Sequence, residues 1–383
     1  MRPAHPRAQT WAETRLTRRT EGCFGPRLWH HGAVTLPLPV LSGLPLEWLV
    51  RVPSREDVPG VVALLRAQRQ ALGMSGAVDG QAVEAALIGR GSWTRRQLVA
   101  FDPQGTLAAW VCVHDRAAGR TNVEFAVHPT APAPDAIGDS VRDVVASALL
   151  RWVDRVAQDV IGERGLTRTR LDATAYALDD RAQLWLTRAG YRLARTWSQM
   201  TRPVESTETD AAELALQPGV RVRTVGLHPD GMPVADDLRT VHHLLEESFV
   251  DHFNSYRESL AEFLQRQREG PGHTWEHWWL AEVLLDDEWQ PGGALIGSVL
   301  PEDADGFEGS YVEYLGVDQR ARGRGVARAL LATIIADAAA RGRDRVGLEV
   351  DAQSPTRADA LYAAMGWRTD YETQSWHRDL ELQ

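Results

Sequence analysis

The last third of the chain alternates between strand-like and helix-like patterns of apolar residues. Residues 312–317 form an apolar strand, and residues 345–350 form a second short strand of the buried type. Between them, one apolar stripe at helical spacing predicts a helix that ends before Gly342. A further helix is predicted over 358–365 and a closing strand over 371–380. This order predicts an α/β domain with helices flanking a sheet. The apolar positions of the first helix are Val326, Leu330, Leu331, Ile334 and Ile335.

The turn before the first of these helices combines positive charge with bare backbone. Three arginines lie between Asp318 and the helix, and no acidic residue follows Asp318 in the turn. Gly323 and Gly325 let a ligand lie against the main chain, where successive N–H groups can converge on one anion. The positive end of the helix dipole favours the same anion. The turn therefore predicts a pyrophosphate-binding site.

Two motifs in this region resemble those of the GNAT acyltransferase superfamily. Residues 320–325 match the signature Q/R-x-x-G-x-G/A, and residues 354–367 resemble the late helix written N-x-x-A-x-x-L-Y-x-x-x-G-F. Ser354 replaces the usual asparagine, and Trp367 replaces the usual phenylalanine. The resemblance covers about the last third of the chain. It implies an enzyme that uses acetyl-CoA or another acyl-CoA and no metal.

The same resemblance implies a cofactor site around the turn. In this family, backbone N–H groups of the strand before the turn hold the acetyl carbonyl, and the turn and the start of the helix bind the pyrophosphate. Most of the rate then comes from positioning two bound substrates. The implied cofactor-binding residues are Leu315, Gly316, Val317, Arg320, Arg322, Gly323, Arg324, Gly325, Val326, Ala327 and Ser354.

A repeat at the scale of domains predicts a tandem pair of GNAT-like α/β domains, each a twisted mixed sheet (α+β) flanked by helices. Residues 123–127 parallel 312–317, and residues 171–173 parallel 348–350, in the same order along the chain. A polar, acidic stretch separates the two copies. The predicted organisation is an N-terminal extension over 1–44, a degenerate GNAT-like domain over 45–204, a linker over 205–218 and a catalytic GNAT domain over 219–383.

The first predicted domain lacks the arginine-rich turn. Its equivalent loop, residues 128–135, holds three prolines, which have no N–H to donate, and no arginine. Trp185 stands where the late helix of the second domain has Tyr362. We interpret the first domain as a scaffold that shapes its partner's pocket; the other interpretation is a degenerate cofactor site.

Glu313 and Tyr362 are the candidate catalytic residues. Transfer of an acyl group from a thioester to an amine needs a base, a stabilised carbonyl oxygen and an acid for the leaving thiolate. Glu313 shares a strand face with Tyr311 and Leu315, and these surroundings would raise the pKa of its carboxyl. A solvated carboxylate without a role explains it equally well, since Glu124 has the matching place in the first domain. The resemblance implies Tyr362 as the acid.

The acceptor site is less clearly marked in the sequence. The predicted acceptor-binding residues are Glu247, Asp251, His252 and Tyr311. Acidic side chains on the early helices would attract an ammonium group, and His252 is an alternative base, although solvated helix charge explains the same residues. His273 and His277 have the spacing of a helical metal pair. Without a third ligand, and with tryptophans interleaved, we interpret them as packing or pocket-wall residues.

Composition narrows the class of function. The formal net charge of −10 argues against a nucleic-acid-binding protein, which needs surplus positive charge for phosphate contacts. No apolar run is long enough to span a membrane, no signal peptide is visible, and the two cysteines lack disulfide or metal spacing. These features predict a cytoplasmic protein that does not bind membranes. The resemblance implies a small-molecule amine as its partner, and we expect the chain to be a monomer or homodimer.

The predicted activity is direct transfer of acetyl from acetyl-CoA to a primary amine in a ternary complex. The tandem layout with one intact domain resembles mycothiol synthase-like bacterial acetyltransferases. An antibiotic-modifying acetyltransferase fits equally well, because architecture does not fix the substrate. The alternatives are a non-catalytic acyl-CoA-binding or scaffold protein and an acetyltransferase that modifies proteins.

Overall fold

The computed structural model of the chain describes residues 41, 43–44, 47–74, 78–116, 119–130, 140–248, 258–303, 305–353 and 358–383. Within these residues, the first half of the chain, up to Pro203, forms six strands and four helices. The strands are β1 (Leu49–Arg51), β2 (Arg95–Phe101), β3 (Leu107–Arg116), β4 (Arg120–Val127), β5 (Arg168–Tyr176) and β6 (Arg192–Pro203). The helices are α1 (Val58–Ala71), α2 (Gly80–Leu87), α3 (Val141–Glu163) and α4 (Asp180–Arg188).

The second half repeats this pattern after a short connecting helix. In the described residues, no helix of either half has the length and apolarity that a membrane span requires. The strands of the second half are β7 (Val220–Thr224), β8 (His273–Leu285), β9 (Glu288–Leu300), β10 (Gly309–Val317), β11 (Arg345–Asp351) and β12 (Arg368–Glu381). Its helices are α5 (Ala211–Ala215), α6 (Ala235–Ser248), α7 (Leu260–Gln267), α8 (Val326–Ala340) and α9 (Ala358–Ala364).

The elements predicted in the last third of the chain are confirmed. The apolar stripe forms α8, the two flanking strands are β10 and β11, and the late helix and closing strand are α9 and β12. The predicted α/β class is also confirmed, with a mixed sheet and helices on both of its faces. Periodicity located these elements well because each buries one face against the sheet.

The described strands form one continuous sheet of twelve strands. Their order is β1-β2-β3-β4-β5-β12-β6-β11-β10-β9-β8-β7. Two neighbouring pairs, β4–β5 and β10–β11, are parallel, and the other pairs are antiparallel. The parallel pairs occupy equivalent places in the two halves, as expected for a repeat.

The last strand of each half lies within the sheet of the other half. β12 pairs with β5, whereas β6 pairs with β11, and the two exchanged strands pair with each other. Trp376 of β12 packs in the core of the first half, and Met200 of β6 packs in the core of the second. Burying a large apolar side chain contributes about 1.5–3 kcal/mol, so each half is stabilised by the strand that it receives. The domain boundaries given above, 45–204 and 219–383 with a linker over 205–218, stay a prediction.

Helices cover different parts of the two sheet faces. On one face, α3 packs over the first half and α8 over the second. On the other face, α1 and α2 cover the first half, and α6 and α7 cover the second. β3 is buried at eight consecutive positions because helices cover both of its faces. On this second face, the central strands β5, β12, β6 and β11 therefore lie between the two pairs of helices.

Candidate active site in the second half

The strands β10 and β11 separate just before the arginine-rich turn. Residues Ser310–Val312 of β10 pair with Val346–Leu348 of β11, and the pairing ends there. β10 stays paired with β9 as far as Val317. The edge of β10 that faces β11 is therefore unpaired at Leu315, Gly316 and Val317 within the described residues. Unpaired backbone groups need partners, so this gap can receive a carbonyl oxygen.

The turn after β10 leads into α8, and no side chain caps the N-terminus of this helix. Gly323 and Gly325 adopt φ values of +76° and +82°, a region that favours glycine. A Cβ atom added to Gly323 would meet no atom within 4 Å. Gly325 is the N-cap of α8, and the first turn of α8 holds no acidic residue. The first N–H groups of α8 therefore lack an intrahelical partner, and a helix N-terminus of this kind suits an anion. The side chain of Gln217 lies beside it, since a Cβ atom on Gly325 would be 2.8 Å from Gln217 Cγ.

The three arginines of the turn are not equivalent. Arg320 pairs with Asp318 at 3.1 Å and also contacts the side chain of Gln290 at 3.3 Å. The side chains of Arg322 and Arg324 are exposed and have no partner among the described residues. The charge available to a ligand therefore comes mainly from Arg322 and Arg324, whereas Arg320 helps to fix the turn.

Tyr362 lies on α9 with only 8% of its surface exposed. Its ring meets the edge of Trp367, with 5.9 Å between the centroids. No described residue forms a hydrogen bond with its hydroxyl. Burial raises the pKa of Tyr362 to about 12, so its hydroxyl keeps its proton at neutral pH. Ser354 lies outside the described residues.

Glu313 sits on a bulge of β10. The register against β9 shifts between Val312 and Tyr314, so Glu313 has no opposite residue in β9. Its carboxylate accepts a hydrogen bond from Ser298 Oγ at 2.7 Å and remains accessible to solvent. Desolvation by the surrounding protein raises its pKa above the ordinary value of a glutamate, although the hydrogen bond from Ser298 and the charge of Arg266 oppose the rise. Such a carboxylate is suited to accept a proton.

A row of polar side chains continues from β10 across the same sheet face. Glu349 of β11 accepts a hydrogen bond from the Gln199 amide of β6. Gln199 also donates to Thr373 Oγ1 of β12 at 3.3 Å and accepts from the Tyr311 hydroxyl at 3.5 Å. Of these residues the sequence identified only Tyr311. One signal in the sequence could have identified Glu349: it is an acidic residue within an otherwise apolar strand. It follows Leu348 as Glu313 follows Val312, and Leu348 pairs with Val312.

The two halves touch each other over this face. Glu269, which follows α7, pairs with Arg95 of β2 at 2.7 Å and accepts from Thr94 at 3.1 Å. His114 of β3 lies 3.7 Å from the same carboxylate. Burial lowers the pKa of His114 to about 2, so Arg95 is the cation in this contact. Contacts from both halves thus lie beside the space that the two pairs of helices leave above β5, β12, β6 and β11, which we call the cleft.

The predicted acceptor residues on the early helices are only partly described. Glu247 is exposed near the end of α6. Its neighbour Ser248 lies against the gap in the sheet, since a Cβ atom on Gly316 would be 2.8 Å from Ser248 Oγ. Asp251 and His252 lie outside the described residues.

The helical placement of His273 and His277 is wrong, because both lie on β8. A spacing of four residues also occurs within a strand, and this strand changes register against β9 between His273 and Trp278. His277 is buried and contacts Arg343 at 3.0 Å and Asp337 at 3.2 Å. In the part of the chain that the structure describes, no group of three or more potential ligands could hold a metal ion. Trp278 is fully buried in a core, whereas His273 lines a cavity together with Arg268 and Glu269.

In the first half, side chains of the protein itself occupy the N-terminus of the equivalent helix, α3. Ser140 is the N-cap of α3, and its hydroxyl accepts from the Asp143 N–H at 3.4 Å. The Asp143 carboxylate accepts from Trp185 Nε1 at 2.6 Å and pairs with Arg181 at 3.1 Å. Burial opposes ionisation of Asp143, but these partners outweigh it and hold its pKa below the ordinary value. Part of the proline-containing loop, residues 131–139, lies outside the described residues.

Comparison with known proteins connects this geometry to a family. The model of the "Acetyltransferase (GNAT) family" matches residues 238–367, which include β10, the turn, α8 and α9. A mycothiol acetyltransferase of Salinispora tropica is 32% identical over 260 residues, which are 64% of this chain and 69% of the relative. A mycothiol acetyltransferase of Salinispora arenicola is 32% identical over 266 residues, which are 66% of this chain and 71% of the relative.

Solved structures share the fold. A GCN5-related N-acetyltransferase from Sphaerobacter thermophilus aligns with a TM-score of 0.64 and 21% identity, and the alignment covers 88% of this chain and 97% of that one. A tandem GNAT protein from the clavulanic acid biosynthesis pathway aligns with a TM-score of 0.57 and 12% identity, covering 88% of this chain and 98% of that one. At these identities the likeness concerns the fold alone.

Proposed function

The chain belongs to the GNAT acetyltransferase family and is an N-acetyltransferase, and from this premise we propose that its second half transfers acetyl from acetyl-CoA to the primary amine of a small molecule. The observation that carries the proposal is the uncapped start of α8 directly beside the gap between β10 and β11. One feature suits a pyrophosphate and the other suits a thioester carbonyl. Their adjacency suits a single acyl-CoA molecule.

The cofactor would be held by the turn and by the edge of β10. The N–H groups from Gly323 to Ala327 would bind the pyrophosphate, with Arg322 and Arg324 supplying charge. The free edge at Leu315, Gly316 and Val317 would bind the acetyl oxygen as it gains negative charge. Donors that are fixed in place before the reaction need no reorganisation in the transition state, which is the main source of their catalytic effect.

In the proposed reaction, the ammonium group of the acceptor gives one proton to Glu313, directly or through one water, and becomes a neutral amine. The amine nitrogen then forms a bond to the acetyl carbon, the carbon–sulfur bond breaks, and the nitrogen releases its second proton to solvent. The departing thiolate takes the proton of the Tyr362 hydroxyl, which solvent later replaces. The raised pKa of Glu313 suits a base, and the Tyr362 hydroxyl, whose pKa burial raises to about 12, still carries a proton at neutral pH.

The acceptor would bind in the cleft above the central strands. The two mycothiol acetyltransferases that the chain resembles favour an acceptor related to mycothiol as the first compound to assay. An antibiotic-modifying activity would use the same catalytic groups with a different acceptor, since the fold alone does not select the substrate.

Release of free thiol from acetyl-CoA tests the proposal. We expect the purified full chain to release thiol at a rate that depends on an added primary amine, and mass spectrometry to find the acetylated amine. Binding of CoA without amine-dependent thiol release, over a panel that includes the mycothiol-related acceptor, would contradict the proposal. That result would favour a non-catalytic CoA-binding protein.

A further inference from the structure

A cavity of about 290 Å³ lies where the two halves meet, beside the cleft. Helix α2 and the turn after it line one side of the cavity, and the segment between α7 and β8 lines the other side. Binding sites for small molecules are cavities of this order of size or larger. The cavity therefore has room for part of a small molecule, and the charges of its lining indicate which part.

Two arginines line this cavity, Arg90 from the first half and Arg268 from the second. Among the described residues, neither guanidinium forms an ion pair or a hydrogen bond. Arg268 lies over the ring of Trp275, 5.8 Å from its centroid, which supports the side chain but does not cancel its charge. Two like charges at one cavity repel each other, and an anion between them would relieve the repulsion.

The acidic residue of the lining, Glu269, is already neutralised. Its carboxylate pairs with Arg95 at 2.7 Å and accepts a hydrogen bond from Thr94 at 3.1 Å. These contacts also join the two segments that carry the lining arginines. Burial and the charge of Arg268 lower the pKa of His273 to about 4, so this ring is uncharged at neutral pH. The lining therefore does not compensate the positive charge of its two arginines.

The cavity lies on the same sheet face as the candidate base. The ring of His273 meets that of Trp278 in the core under α6 and α7, with 5.7 Å between the centroids. His273 is paired with Ser298 of β9, whose hydroxyl donates to the Glu313 carboxylate. Neighbouring strands are about 4.8 Å apart, so two strand spacings, roughly 10 Å, separate His273 from Glu313. A small molecule can therefore reach both the cavity and the base.

We propose that this cavity binds an anionic group of the acceptor, a carboxylate or a phosphate, so that the acceptor carries a negative charge roughly 10 Å from its reacting amine. The inference rests on the proposed function for the position of that amine at Glu313. A guanidinium group suits both anions, because its N–H groups can bind two oxygens at once. A neutral hydroxyl would leave the charges of Arg90 and Arg268 uncompensated. Since each half supplies one arginine, the first half takes a direct part in binding the acceptor.

Calorimetric titration of three matched amines tests the inference. The probes are ω-aminooctanoate, ω-aminooctyl phosphate and the neutral ω-aminooctanol, each titrated into the full chain with saturating coenzyme A. The coenzyme keeps the anionic probes from the start of α8. We expect at least one anionic probe to bind at least about tenfold more tightly than aminooctanol, since charge-assisted hydrogen bonds are roughly twice as strong as neutral ones. The tighter anionic probe shows whether the cavity takes a carboxylate or a phosphate.

A double variant that combines Arg90→Gln with Arg268→Gln should abolish this preference. Both residues are exposed, so the double variant should keep the fold. Arg188→Gln is the matched control, because Arg188 is an exposed arginine at the end of α4 with no described partner. It should keep the preference for the anion. Equal affinity of the three probes, absence of binding by all three, or an unchanged preference in the double variant would each overturn the inference.

Thiol release from acetyl-CoA with the same amines separates this inference from the proposed function. An anion preference that depends on the two arginines, without thiol release, would support the anion site and contradict the catalytic proposal. Thiol release with all three amines at equal efficiency, unaffected by the double variant, would support catalysis and contradict the anion site.

Discussion

The helices α3 and α8 occupy equivalent places in the two halves, yet their N-termini have opposite character. At the start of α3, Ser140 caps the helix and the Asp143 carboxylate supplies a negative charge from the protein itself. At the start of α8, Gly325 offers no side-chain cap and no acid lies in the first turn. A helix N-terminus favours an anion in both cases. The first half carries its own anion, and the second leaves the place for a ligand.

The late helices differ in the same way. Trp185 of α4 donates to Asp143, which ties the late helix to the occupied helix end. Tyr362 of α9 has no described partner for its hydroxyl. The difference indicates how a duplicated domain becomes a scaffold: its own side chains satisfy the groups that a ligand would otherwise bind.

Glu313→Gln should lower kcat by about 100-fold or more, because general base catalysis typically contributes about 10²–10⁴-fold. The equivalent substitution in the first half, Glu124→Gln, should leave kcat within about twofold, since β4 has no bulge at Glu124. Steady-state thiol release with both variants makes the comparison. Equal losses in the two variants would mean that the glutamates serve the fold rather than the reaction.

Trp376→Ala should lower the free energy of unfolding by about 3 kcal/mol, as expected for a large aromatic side chain removed from a core. Because Trp376 lies on an exchanged strand, both halves should lose structure together in one transition. Thermal unfolding followed by circular dichroism and by tryptophan fluorescence measures this. Two separate transitions would show that the halves are independent.

Tyr362→Phe should lower kcat by about tenfold with little change in the affinity for acetyl-CoA, because it removes a proton donor and leaves the packing against Trp367. Trp185→Phe is the matching change in the first half. It should leave kcat unchanged while it destabilises the chain, since it removes the hydrogen bond to Asp143. A loss of CoA binding in Tyr362→Phe would assign the tyrosine to binding instead.

Ser298→Ala should produce the smallest effect, a shift in the pH dependence of kcat/KM. Glu313 acts as a base only when it is deprotonated, so activity should rise as the pH increases through its raised pKa. The hydrogen bond from Ser298 favours the charged carboxylate, and its removal should raise that pKa further. The acidic limb of the profile should therefore move to higher pH. A shift to lower pH, or none, would contradict the assignment of Glu313.

The sequence predicted the positions of helices and strands better than it predicted which strands pair with each other. Helix α8 and strands β10, β11 and β12 follow from periodicity, because each pattern shows which face is buried. The exchange of β6 and β12 leaves no such signal, since either strand has the same pattern whichever neighbour it pairs with. Gln199 was missed for this reason, as only the exchange brings it to Glu349. His273 and His277 were misplaced because a spacing of four residues fits one face of a helix and also one face of a strand.

Titration of acetyl-CoA into the full chain by calorimetry shows whether the start of α8 binds the cofactor. We expect one site per chain, with binding weakened at least about 100-fold in Gly323→Glu, whose side chain and charge would enter the anion site. Gly342→Glu is the matched control, because Gly342 follows the other end of α8 with a similar φ of +71° and open space around it. It should bind acetyl-CoA like the wild type. Two sites per chain, or equal binding by the two variants, would contradict the account.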